Sequence, residues 1–93
     1  MDWCVYILSC SDKTLYTGMT NDLDARLATH NRGLGAKYTR ARLPVTLLKA
    51  IPCSSKSEAL KIEAYIKKLR RKDKLRLISE DSDILLHIYE NKL

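Results

Sequence analysis

At 93 residues, with 45% apolar and 30% charged side chains, the chain is too short for a second core and too hydrophobic to remain disordered. Its formal net charge of +6 is unevenly spread: residues 37–78 carry thirteen basic and three acidic side chains, residues 1–36 three and four, and residues 79–93 one and four. A block of this kind suits a nucleic-acid phosphate backbone, and a solvated lysine-rich helix produces the same count.

The run WCVYIL, residues 3–8, is apolar and rich in β-formers; SCSDK follows it and then TLYTG, a pattern that predicts a hairpin. Thr20 or Asn21 is the expected cap of a helix whose first turn carries Asp22 and Asp24 and which ends near Asn31, before Gly33. Leu23 and Leu27 mark its buried side, and Arg26 and His30 stand one turn apart on another. The stretch GLGAKYTRARLP, residues 33–44, combines two glycines, three cationic side chains and a proline, and predicts a loop.

A third strand is expected over VTLLKAI, residues 45–51, closed by Pro52. Ser55 and Glu58 form a capping box that opens the longest helix, SKSEALKIEAYIKKLRRK. Ala59, Ile62, Tyr65, Ile66 and Leu69 recur at helical spacing as its core stripe, with Arg70, Arg71 and Lys72 projecting outward. Glu63 falls about 100° round the helix from Ile62, at the edge of that stripe, where packing can hold the stem while the carboxylate faces a cleft. After it come one short turn near residues 74–78, an acidic break, and a second helical or extended piece containing ILLHIY. The order predicts an α+β fold, a small three-stranded antiparallel sheet flanked by helices, with residues 1–79 as the domain and 80–93 as its tail.

Three scattered cysteines without a C-x-x-C pair, and only two histidines, argue against a disulfide scaffold or a structural zinc site and fit reduced thiols in the cytoplasm. The first ten residues lack the basic flank of a signal peptide, and no run approaches the ~20 apolar residues of a membrane span.

In this order and on these elements, the chain resembles the GIY-YIG nuclease family, and within it the short stand-alone bacterial members. The two signature tripeptides are matched by Cys4, Val5 and Tyr6 and by Tyr16, Thr17 and Gly18; the arginine of the following helix by Arg26, with His30 a turn later; and the glutamate of the long helix by Glu63. The resemblance implies a metal-dependent endonuclease acting on DNA, with RNA as a further possibility, that leaves 5′-phosphate and 3′-hydroxyl ends. It implies Tyr6, Tyr16, Arg26, His30 and Glu63 as the catalytic set. Glu63 would hold one Mg²⁺ or Mn²⁺ ion, since Mg²⁺ commonly takes only one or two carboxylates and no carboxylate cluster for two metals is visible. Arg26 would grip the scissile phosphate through its planar fork. A tyrosine hydroxyl would orient or deprotonate the attacking water; which of the two does so stays open, and His30 competes for the same proton.

Gly18, Lys37, Tyr38, Arg40 and Arg42, with Lys67 and Arg70 of the long helix, are the expected nucleic-acid contacts. Gly18 would permit close approach of a ligand, and the Tyr38 ring would stack on an unpaired base. Each residue also has a plainer role open to it: the tyrosines as strand packing, Glu63 as an ion-pair partner of Lys67, Arg26 as a partner of Asp22. The chain departs from the family pattern at Cys4 and Thr17, at Met19 where larger relatives carry lysine, and in lacking the late asparagine of some relatives. With no room for a recognition domain, specificity would come from nucleic-acid structure or from a protein partner that delivers the substrate. Two rival functions remain at this level: a binding module of the same fold that does not cleave, and an adaptor docking through ILLHIY.

Overall fold

A computed structural model describes residues 2–79. The expected tail piece, including ILLHIY, lies outside the described residues. Strands β1 (Cys4–Ser9), β2 (Leu15–Thr20) and β3 (Thr46–Pro52) form one antiparallel sheet in the order β2-β1-β3. Helices α1 (Leu23–Asn31) and α2 (Lys37–Arg40) separate β2 from β3, and α3 (Lys56–Lys68) and α4 (Arg71–Ser79) follow it.

The central strand explains the unbroken apolar run. Val5 and Ile7 point to one face, into a core with Ile51, Ala59, Ile62, Ile66 and Leu77; Tyr6 and Leu8 point to the other, where Leu23, Leu27 and Val45 pack. A strand covered on both faces needs no polar alternation. Helix α3 therefore lies behind the sheet and α1 in front. Replacing Ile62, 1% exposed in the rear core, by alanine is expected to cost about 2–5 kcal/mol, read as a lowered denaturant midpoint.

Helix α1 is capped by Asp22, whose carboxylate accepts from Ala25 N at 3.2 Å, and not by Thr20 or Asn21. The Thr20 hydroxyl is already engaged one step earlier, accepting from Asp22 N at 3.0 Å. At the other end Gly33 adopts φ +77°, and the pairs Gly33 N to His30 O and Leu34 N to Thr29 O close a Schellman motif. Asn31 then accepts from Val45 N at 2.9 Å, tying the helix end to the entrance of β3.

Two expectations are corrected. The stretch 33–44 is not all loop: residues 37–40 make one helical turn, because the Ala36 carbonyl accepts from Thr39 N and Arg40 N. The long helix also stops at Lys68, with Leu69 extended as its C-cap, and a nine-residue α4 replaces the single short turn. No glycine or proline marks that break. It returns Leu77 and Ile78 to the rear core beside Leu69, a gain in burial that a straight helix would forfeit.

Candidate active site

On the front of the sheet the hairpin register sets Tyr6 opposite Gly18 and Leu8 opposite Tyr16. A Cβ on Gly18 would meet the Tyr6 hydroxyl oxygen at 2.5 Å, so glycine is what lets the phenol lie flat across β2. The close approach expected of a ligand at Gly18 is thus made by Tyr6 itself. Helix α1 packs over the same face and brings His30 Nε2 to 3.0 Å from the Tyr6 hydroxyl, while Arg26, one turn earlier, donates to that oxygen through Nε at 3.4 Å. The other ring nitrogen, His30 Nδ1, lies 2.9 Å from the Thr39 hydroxyl of α2. Tyr16 completes the group, its ring centroid 6.4 Å from that of Tyr6 and 5.4 Å from that of His30.

Burial sets the protonation of these groups. It holds the Tyr6 phenol above its ordinary value, against the hydrogen bond from Arg26, while nearby Tyr16 and Glu63 add to the rise. Burial raises Tyr16 likewise, Arg26 opposing and Glu63 reinforcing it. His30 moves the other way, pushed below its ordinary value by burial first and then by the Arg26 charge, so the imidazole is neutral at pH 7.

Glu63 lies on α3, behind the sheet. Helix α3 crosses β2, the edge strand, and the charge of Glu63 is felt by both phenols. Its side chain is 18% exposed, with Oε2 3.7 Å from Lys67 Nζ. Beside it, Leu15, Tyr16, Thr17, Tyr38, Lys67 and Lys74 line an open cleft of about 200 Å³. Thr17, which also lines the cleft, keeps a buried Oγ1 without a hydrogen-bond partner among the described residues.

The GIY-YIG catalytic-domain family model matches residues 2–76. The chain belongs to the GIY-YIG family. Domains of that family are generally endonucleases that act on nucleic acid and typically use a divalent metal. Among its relatives are the UPF0213 protein YsiG of Lactococcus lactis, 58% identical over 77 residues (82% of this chain, 74% of the relative), and a UPF0213 protein of Bacillus licheniformis, 59% identical over 75 residues (81% and 77%). The solution NMR structure of a UPF0213 protein from Bacillus halodurans superposes with a TM-score of 0.57 at 46% identity, covering 85% of this chain and 84% of that one. That of an E. faecalis protein gives 0.60 at 40% identity, with 84% and 83% covered.

Of the residues expected at a GIY-YIG site, Tyr6 meets Arg26, His30 and Tyr16, and Tyr16 meets the His30 ring, on the front face, while Glu63 lies within electrostatic reach of the two phenols. Arg26 makes no ion pair with Asp22, whose carboxylate is spent on the helix cap. Lys67 and Tyr38 share the cleft with Tyr16. Arg42 is tied into the fold, 3.0 Å from Asp12 and donating to the Tyr38 carbonyl, and its guanidinium sits 3.9 Å above the Tyr38 ring. The Tyr38 ring expected to stack on a base thus already carries Arg42 on a face and stacks with Tyr16, ring centroids 6.1 Å apart, and a base taking either place would have to displace its occupant. Lys37, Arg40 and Arg70 are exposed. Met19 turns to the rear and packs against the core of Val5 and Ile62, so it offers the site no cation. Thr39 and Gly35, which also contact His30, were not foreseen: a hydroxyl nine residues after a histidine follows no helical or strand period.

The residues fit a loosely held divalent ion. Among the described residues no three metal-ligating side chains cluster, and Lys67 is the one ion-pair partner of Glu63, leaving Oε1 open. One hard carboxylate suits an ion that keeps most of its ligands as water and substrate phosphate.

Proposed function

We propose that this chain is a metal-dependent endonuclease that hydrolyses phosphodiester bonds in DNA, weakly specific or selective for nucleic-acid structure, and that Tyr6, Tyr16, Arg26, His30 and Glu63 carry the reaction. The observation that supports this most is the Tyr6 hydroxyl, held between a neutral imidazole at 3.0 Å and a guanidinium at 3.4 Å. A phenol so placed has a route for its proton, and beside it a guanidinium that an incoming phosphate would draw.

Tyr6 is 1% exposed, and Arg26 closes its hydroxyl at a long hydrogen-bond distance. When Arg26 turns its planar fork to the incoming scissile phosphate, the hydroxyl opens to water. The water proton passes to the Tyr6 oxygen as the phenol's own proton passes to His30 Nε2, and the hydroxide equivalent attacks phosphorus with expulsion of the 3′ oxygen. His30 ends as imidazolium, the 5′ phosphate keeps the new oxygen, and the 3′ oxygen takes a proton from solvent. Tyr16, half-buried on the cleft, orients the phosphate and water. Glu63 would hold the ion, which would supply Lewis-acid charge stabilisation to the phosphate.

Incubating the purified chain with labelled single-stranded, duplex and flapped DNA, with and without Mg²⁺ or Mn²⁺, tests the reading. Metal-dependent cleavage with 5′-phosphate products is expected; binding with no cleavage under either metal would replace the enzyme by a binding module of the same fold. The basic block of residues 37–78 makes a separate prediction. If about six phosphates are contacted, affinity should fall roughly 10³-fold between ~50 and ~200 mM salt, measured by fluorescence anisotropy. Salt-independent binding would point instead to an apolar docking role.

A further inference from the structure

The hydrogen-bonded chain through His30 begins and ends on groups that act in one direction only. A carbonyl accepts and a guanidinium donates. Thr39 Oγ1 lies 2.9 Å from the Ala36 carbonyl oxygen and 2.9 Å from His30 Nδ1. Its single proton goes to the carbonyl, so the oxygen has only lone pairs to offer the ring, and Nδ1 must carry the hydrogen. The reverse arrangement would set two oxygens against each other with no proton between them, on a threonine that is fully buried. With the hydrogen on Nδ1, a neutral ring leaves Nε2 bare, and the Tyr6 hydroxyl donates to it while accepting from Arg26.

The backbone holds the ring in register for both bonds. A Cβ on Gly35 would come within 2.8 Å of His30 Cγ, so the chain between Gly33 and α2 is pressed against the imidazole. His30 is fully buried, and the titratable or charged side chains facing it are Tyr6 from β1, Tyr16 from β2 and Arg26 from its own helix.

We infer that Thr39 is a positioning residue: it fixes His30 as the Nδ1–H tautomer and thereby makes Nε2 the receiver of the Tyr6 proton. Its catalytic consequence rests on the nuclease reading, whereas the tautomer is a property of the free protein. The GAKYTR stretch is thus more than a cationic segment. It supplies the hydroxyl that decides which nitrogen of His30 can act as base.

The test is long-range ¹H–¹⁵N NMR of the ¹⁵N-labelled full chain near pH 7.5 in a His87→Gln background, which leaves His30 as the sole histidine. Expected is a protonated, pyrrole-like Nδ1 and a bare, pyridine-like Nε2, kept in Thr39→Ser and lost or mixed in Thr39→Val. In cleavage assays Thr39→Val should lower kcat about 10²-fold with KM little changed, and Thr39→Ser should restore it. A wild-type ring with its hydrogen on Nε2 overturns the inference even if Thr39→Val fails to fold, and so does a folded Thr39→Val variant with the tautomer unchanged. A wild-type chain with the Nδ1–H tautomer that cleaves nothing sinks the nuclease reading and leaves the tautomer assignment standing.

Discussion

Glu63→Gln is expected to lower the single-turnover rate of DNA cleavage by about 10³-fold or more while leaving DNA affinity within a few-fold of wild type. Glutamine keeps the length and shape of the side chain, so the edge of the α3 stripe stays packed, yet its amide is a far poorer ligand for a hard cation than a carboxylate. Among the described residues no group of three metal-ligating side chains forms that could hold the ion without it. The fold should barely respond: the partner lost is Lys67, 52% exposed and 3.7 Å away, and an exposed helical ion pair contributes about 0.3–0.5 kcal/mol. Lys67→Met separates the two roles, since it removes the same ion pair but keeps the carboxylate: its effect should appear in DNA affinity and not in the single-turnover rate at saturating DNA. A Glu63→Gln variant as active as wild type would remove the metal site from α3.

Tyr6→Phe should reduce cleavage about 10²- to 10⁴-fold, the range for losing a positioned acid–base group. The pH profile tells this apart from misfolding. Burial and Arg26 hold His30 below its ordinary value of about 6.5, so a wild-type rate that needs the neutral ring rises with pH along an acid limb lying below that value and is flat above it. In Tyr6→Phe the phenol no longer passes a proton to His30, and the acid limb should vanish together with the rate. The variant also strands His30 Nε2 in a buried position, at a cost of about 1–3 kcal/mol, so its melting temperature should fall. Tyr16→Phe is the control, because no hydrogen bond is formed by the Tyr16 hydroxyl among the described residues; its melting temperature should hold. A Tyr6→Phe variant with wild-type rate and an unchanged acid limb would exclude Tyr6 from the proton path.

The sheet was legible because its physics is local. A central strand covered on both faces writes itself as the unbroken run of residues 3–8, and the polar stretch after it marks the hairpin, while the register that sets Tyr6 against Gly18 is seen in the folded chain. The cap of α1 was misplaced by one or two residues because Thr20, Asn21 and Asp22 are all good caps, and only the folded chain shows Thr20 already occupied by Asp22 N. The break at Leu69 has no signal of its own. It exists because Leu77 and Ile78 are needed behind the sheet, an influence that residue propensities do not contain.

The candidate site divides the same way. Arg26 and His30 sit one turn apart on one helix, and that spacing is visible in the sequence; their meeting with Tyr6 and Tyr16 was accessible only through the order of the family motifs. Thr39 lies beyond either signal. It meets His30 because the chain reverses at Gly33, presses Gly35 on the imidazole and then makes one helical turn, so its partner is set by the path of the backbone.

A crystal structure with Mn²⁺ and an uncleavable DNA oligonucleotide tests the central claim most directly. The account predicts an anomalous peak at ligand distance from a Glu63 carboxylate oxygen, and the scissile phosphate between Arg26 and Tyr16 with a water beside the Tyr6 hydroxyl. An ion bound elsewhere, or DNA lying along the basic helices with the tyrosine face empty, would contradict it.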